Sequence, residues 1–269
     1  MTRALLIGNS HVGPYLNALK HAEGEVALDL DCIAAFGDGL ERYTIEDGVF
    51  CGNILDPKVT GRKGKGPFPG SDARAVLKDY DVVLLTGLRF SIFQVIRVFR
   101  DLGLVTMDSS RDYATAAENG VTLVSEALLY RLIAERLSGS LMMQIARDIR
   151  AATDAPILVL AQPRPTRQVL VEGTRFETFC NAEERGEGDF VSKTYERLGQ
   201  ELCAGIAAHY VPQPSGTIDG GMFTDTSYMM GTLRPPFWKK NGRPVDFRHG
   251  NARYGARMLK HVARELETL

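Results

Sequence analysis

The chain has 269 residues, 44% of them hydrophobic and 24% charged, with a formal net charge of −1 at pH 7. This is the composition of a globular protein with a sizeable core, and a single α/β domain over residues 1–269 accommodates it. Nothing in the charge balance suits nucleic acid, and no apolar run has the length of a membrane span.

The first elements set the pattern. Ala4-Leu5-Leu6-Ile7 reads as a short buried strand, Gly8 and Gly13 bracket a sharp turn, and Pro14 opens a helix through Tyr15, Leu16, Ala18 and Leu19. Ser10 therefore stands where a strand ends and a helix begins, the place where open α/β sheets bind ligands. The positive end of the helix dipole points at it. Three readings fit this turn taken alone: a serine nucleophile, a dinucleotide-binding loop with Ser10 in place of its second glycine, and a plain βα turn. No signal peptide precedes the strand, so a cytoplasmic location is expected.

Val26 to Phe36 reads as a second strand ended by Gly37-Asp38-Gly39. Asp29 and Asp31 lie too early to hold a cofactor ribose, which weakens the dinucleotide reading. Glu41 to Asn53 suits a short hairpin. Residues 61–70 form a basic, glycine-rich loop that fits an anion cradle or a solvated loop, without the Gly-Lys-Ser/Thr ending of a P-loop. Asp81-Val82-Val83-Leu84-Leu85-Thr86-Gly87 is the clearest strand, with the unbroken apolar run of a sheet covered on both faces. Leu88-Arg89-Phe90 follows, and Ser91 opens a helix through Phe99.

Residues 121–152 have helical periodicity, with a bend or break at Ser138-Gly139-Ser140. Pro156 to Ala161 is a fourth strand, and Gln162-Pro163-Arg164-Pro165 a stiff loop at its carboxyl end. Two readings of Arg164 stand side by side, a substrate contact and a surface ion pair. Residues 166–190 read as an irregular, polar flap, followed by a helix from Phe190 to Ala208 and a fifth strand at His209–Pro212. The long stretch 213–245, rich in glycine, proline and aromatics, has the length of a functional loop; Tyr228 and Trp238 in it line a pocket or pack the tail. A last helix carries Tyr254, Met258, Val262 and Leu266 on one face. Five strands alternating with helices argue a doubly wound parallel sheet.

Cys32, Cys51, Cys180 and Cys203 form no C-x-x-C pair and have no histidine at metal spacing, so neither a disulfide nor a zinc site is expected. Asp246 and His249 are three apart, just before the last helix. At that spacing the carboxylate reaches the imidazole and holds its tautomer, while the other ring nitrogen faces a hydroxyl. A serine hydroxyl needs such a base to become a nucleophile. His11 reads as a loop residue beside the site rather than as the base.

Gly8-Asn9-Ser10-His11 after the first strand, Asp246-Phe247-Arg248-His249 before the last helix and the strand order between them together resemble the SGNH hydrolases, or GDSL-like esterases. The resemblance covers nearly the whole chain. It implies a three-layer α/β/α fold with a five-stranded parallel sheet in the flavodoxin-like order 2-1-3-4-5. It also implies ester hydrolysis through an acyl-serine, with Ser10 as nucleophile, His249 as base and Asp246 as its orienting acid. The oxyanion glycine after the second strand falls at Gly37, with Gly39 as the alternative. The third block reads Gly87-Leu88-Arg89-Phe90, so Arg89 stands where the family has an asparagine. Arg89 or Gln162 supplies the missing donor, or Arg89 binds a substrate carboxylate or phosphate.

No metal or cofactor is called for. The expected substrate is a small-molecule or carbohydrate ester. An O-acyltransferase of sugar or polysaccharide biosynthesis using acyl-CoA, and a non-catalytic binding module, are the alternatives. Oligomeric state is not readable from the sequence.

Overall fold

A computed structural model describes residues 1–21, 28–35, 39–52, 74–102, 104–106, 118, 122–172, 174, 176–232 and 245–269. Five strands form the central sheet: β1 (Thr2–Gly8), β2 (Leu28–Ala34), β3 (Val82–Thr86), β4 (Ile157–Leu160) and β5 (His209–Val211), in the order β2-β1-β3-β4-β5. All neighbouring pairs are parallel, with Gly8 opposite both Ala34 and Thr86, and Thr86 opposite Leu160. This is the expected 2-1-3-4-5 order. The carboxyl tips of β1, β3 and β4 consequently lie side by side on one edge.

Every residue of β3 and β4 is buried, because helices cover both faces of the sheet. Side chains alternate between the faces along β1. Ala4 and Leu6 pack with Tyr15, Ala18, Tyr254, Met258 and Val262 from α1 (Gly13–His21) and α7 (Ala252–Leu266). Leu5 and Ile7 join the larger core on the other face, beneath α2 (Ile92–Leu102), α3 (Glu126–Ser138), α4 (Leu141–Ala152), α5 (Glu177–Glu184) and α6 (Gly188–Ala204). Cys32 and Cys203 are buried thiols. The architecture is three-layer α/β/α. No described helix is long and apolar enough to cross a membrane.

The 121–152 region divides as its break predicts. Ser140 caps α4 by accepting from the Met143 N–H, and Gly139 closes α3. Its start is different: Thr122–Val124 is a short strand parallel to Leu104–Thr106, before Ser125 caps α3. The 44–51 hairpin forms around Asp47 and Gly48, both with positive φ, as a tight two-residue turn requires. The 166–190 flap is corrected. It holds helix α5, which buries Phe179, Cys180 and Ala182, and α6 begins at Gly188. The 61–70 loop, Asp38 and Trp238 lie outside the described residues. Within 213–232, Tyr228 packs against the α1–α7 core, with the Arg253 guanidinium 5.3 Å from its ring centre.

The last helix lies directly on the first. A Cβ on Gly255 would sit 2.1 Å from the Pro14 carbonyl oxygen, so the two backbones meet where only glycine fits. Gly255→Ala is expected to cost about 3 kcal/mol, because backbone must move rather than a flexible side-chain tip. Thermal unfolding checks this, with a Tm fall of roughly 6–12 °C; an unchanged Tm would contradict it.

Candidate active site

The turn after β1 is built around Asn9. Its side-chain oxygen accepts from the His11 N–H at 3.2 Å, which starts a 3-10 turn at Ser10–Val12 ahead of α1. Asn9 also lies against Gly87 beyond the tip of β3, where a Cβ would come within 2.2 Å of the asparagine oxygen. Gly87 thus has two reasons to be glycine, this approach and its φ of 76°. Leu88 and Arg89 continue the left-handed run with φ of 48° and 64°, each strained by about 1–2 kcal/mol. Packing holds them there. Leu88 is buried, its carbonyl accepts from the Met142 N–H at 3.0 Å, and the Phe90 N–H closes the turn onto the Gly87 carbonyl.

The Asp-x-x-His segment just before the last helix is a strand. It forms β7 (Val245–Gly250), antiparallel to β6 (Met229–Thr232), with Asp246 opposite Gly231. Asn251 joins this hairpin to α7. Its side-chain oxygen caps the helix at the N–H groups of Arg253 and Tyr254, and its amide donates to the carbonyls of Ser227 and Met229.

These elements bring Ser10 and His249, 239 positions apart, to a distance of 2.8 Å between Oγ and Nε2. His249 Nδ1 lies 2.9 and 3.0 Å from the two oxygens of Asp246. One of those oxygens also accepts from the N–H groups of Arg248 and His249. Burial works against charge on Asp246, but the His249 ring and the two backbone donors outweigh it and hold the carboxyl below its ordinary range. An ionised carboxylate can only accept, so Nδ1 carries the proton. That leaves the Nε2 lone pair facing the serine hydroxyl.

His11 stacks on His249, with ring centres 4.6 Å apart and planes inclined by 23°. Burial, followed by repulsion from His249 and Arg248, pushes the His11 imidazole well below its ordinary pKa. It is a neutral slab against one face of His249, a role that sequence position alone did not reveal.

The cleft over this group has a volume of about 320 Å³. Arg89 and Gln162 line it, as expected. Phe93, Arg97 and Arg100 of α2, Phe176, Phe179 of α5 and Arg248 of β7 line it too, and sequence reasoning missed them. The i, i+3 spacing of Arg97 and Arg100 on α2 was the available signal. Arg164 is not among the lining residues. It is buried, paired with Glu196 and donating to the Gly221 carbonyl at 2.6 Å, so it ties α6 to the loop before Met222 instead of forming a surface pair. Gly37 lies outside the described residues, and Gly39 is exposed.

No family model matches the sequence, and no curated protein matches it. Among solved structures, the chain is similar to a lipase from a goat rumen metagenome, at 11% identity over 98% of this chain and 97% of that one, with a TM-score of 0.42. It is also similar to a Corynascus thermopiles (Myceliophthora fergusii) enzyme of carbohydrate esterase family 2, at 15% identity over 99% and 66% of the two chains, TM-score 0.39. A gut microbial diltiazem-metabolizing enzyme aligns at 10% identity over 98% and 46%, TM-score 0.43. Likeness this distant decides no chemistry.

The neutral His11 predicts a pH effect. Above the ordinary imidazole value of 6.5, folded and unfolded chains both hold this ring uncharged. As pH falls through that value, the unfolded ring takes a proton that the folded one refuses, so stability is lost. His11→Asn should flatten the fall in Tm between about pH 7 and pH 5. An acid slope equal to that of the parent protein would refute the assignment.

Proposed function

We propose that this protein is a serine-dependent ester hydrolase of the SGNH type, acting through an acyl-Ser10 intermediate. The observation that carries the reading is the unbroken relay from Asp246 through His249 to the Ser10 hydroxyl, at 2.9 and 2.8 Å, in a cleft open to a small molecule.

Ser10 Oγ attacks the ester carbonyl carbon as its proton passes to His249 Nε2, and the carbonyl electron pair moves onto oxygen. Asp246 stays ionised and stabilises the imidazolium. The Ser10 backbone N–H opens the first turn ahead of α1, where donors and helix dipole favour a developing oxyanion. Gln162 and Arg89 flank the same cleft and supply further donors, with Gly37 contributing its N–H in the SGNH assignment. Collapse breaks the carbon–alkoxy bond, and His249 returns the proton to the departing oxygen. Water then repeats the sequence on the acyl-serine, releasing the acid.

The stacked His11 ring limits rotation of His249 away from Ser10, so little ordering remains to be done when substrate binds.

Hydrolysis of 4-nitrophenyl esters tests the proposal. Ser10→Ala should remove at least about 10³-fold of kcat/KM, and Asp246→Asn about 10³–10⁴-fold, since asparagine favours the wrong tautomer of His249. A fluorophosphonate should label the protein at Ser10. Equal turnover by the Ser10→Ala variant would remove the nucleophile from the proposal.

A further inference from the structure

The lining of the cleft is electrically one-sided. Four arginines line it, Arg89, Arg97, Arg100 and Arg248, and no aspartate or glutamate is among its described lining residues. Four arginines around one concave space suit an anionic ligand better than a neutral one.

The four are held in distinct ways. Arg89 pairs with Glu41 at 2.7 Å on the outer side of the strained turn, with both side chains about half exposed. Arg248 adjoins His249 in the chain, and its guanidinium lies 5.0, 5.2 and 5.7 Å from the ring centres of Phe93, Phe176 and Phe247. These rings cross one another edge to face, with Phe176 and Phe247 5.0 Å apart at 87°. Three ring faces thus lie against this guanidinium and help to orient it. Arg97 and Arg100 stand one turn apart on the exposed edge of α2 and face the same space.

We propose that the cleft selects an anionic ester, and that Arg97, Arg100 and Arg248 seat its carboxylate or phosphate while the ester carbonyl lies at Ser10. The inference rests on the hydrolase reading and adds the substrate class to it. Planar, forked donors are the side chains that recognise such oxyanions in pairs of hydrogen bonds. An anion bound beside Arg248 also offsets the positive charge that this residue places next to His249, at the step where the imidazole takes up a proton.

Two matched pairs separate the possible positions of the anion. For the acyl side, mono-4-nitrophenyl glutarate is compared with 4-nitrophenyl valerate, which replaces a terminal carboxylate by methyl. For the alcohol side, acetylglycerol 3-phosphate is compared with acetylglycerol. At low salt, kcat/KM for the anionic member of one pair should exceed that of its neutral partner by about tenfold or more, and the excess should shrink as salt rises. Arg97→Gln with Arg100→Gln should collapse that ratio toward one, and the double lysine variant should restore part of it. Binding of glutarate and of glycerol 3-phosphate to the Ser10→Ala protein, followed by calorimetry, reads the anion site without any turnover.

Neutral esters turned over as well as or better than both anionic ones would overturn the inference and leave the hydrolase reading standing. A ratio indifferent to the double glutamine substitution would overturn it too. Absent turnover of every ester, with anion binding that the double substitution abolishes, would sustain the anion site and sink the hydrolase reading. Absence of both turnover and binding would sink both.

Discussion

The site depends on the close approach of helix α7 to helix α1, where a Cβ on Gly255 would come within 2.1 Å of the Pro14 carbonyl oxygen. The 3-10 turn that begins at Ser10 leads into helix α1, and helix α7 follows His249 after Gly250 and the capping Asn251. Two helices that meet backbone to backbone fix the relative position of the segments that precede them. A serine and a histidine far apart in the chain therefore come within 2.8 Å of each other without a loop having to search for the geometry. The sheet supplies the other half of the constraint. Parallel pairing in register aligns the tips of β1, β3 and β4, so Ser10, Arg89 and Gln162 emerge along one edge.

Around that meeting point, charge is managed by burial and by acceptors. Asp246 remains an acceptor because three donors surround it, and His11 remains uncharged because it is sealed from water. The left-handed turn at Gly87-Leu88-Arg89 is a local cost that the rest of the fold sustains. A buried leucine and a bond from α4 hold a conformation that the chain would not adopt alone. An asparagine at the third position would tolerate this backbone better than arginine does. The arginine persists here with its charge directed between Glu41 and the cleft.

Much of this was legible before any coordinates. The strands were legible because a sheet covered on both faces leaves unbroken apolar runs, as in Val82 to Leu85. Ser10 and the Asp246–His249 pair were legible because turn chemistry and a three-residue spacing are local properties. Other features depended on partners that no local pattern names. Helix α5 was hidden because its buried residues, Phe179, Cys180 and Ala182, are sparse within a polar run. The strand character of residues 245–250 was hidden because its pairing partner lies across residues rich in glycine and proline. His11 looked like an ordinary turn residue, since its stacking partner comes from the far end of the fold. Arg164 showed the reverse error: a cation beside a strand tip looked available, but Glu196 and the Gly221 carbonyl had already claimed it.

The separation of Ser10 from His249 bears on how such a protein comes into being. A polypeptide growing on the ribosome exposes its serine early, as an unreactive alcohol. The imidazole that hydrogen-bonds to it is synthesised 239 residues later. The Ser10–His249 hydrogen bond therefore forms only once translation has passed β7 and α7 has settled onto α1. A truncated product lacks the Asp246–His249 pair altogether, so Ser10 has no partner there until the last hairpin exists.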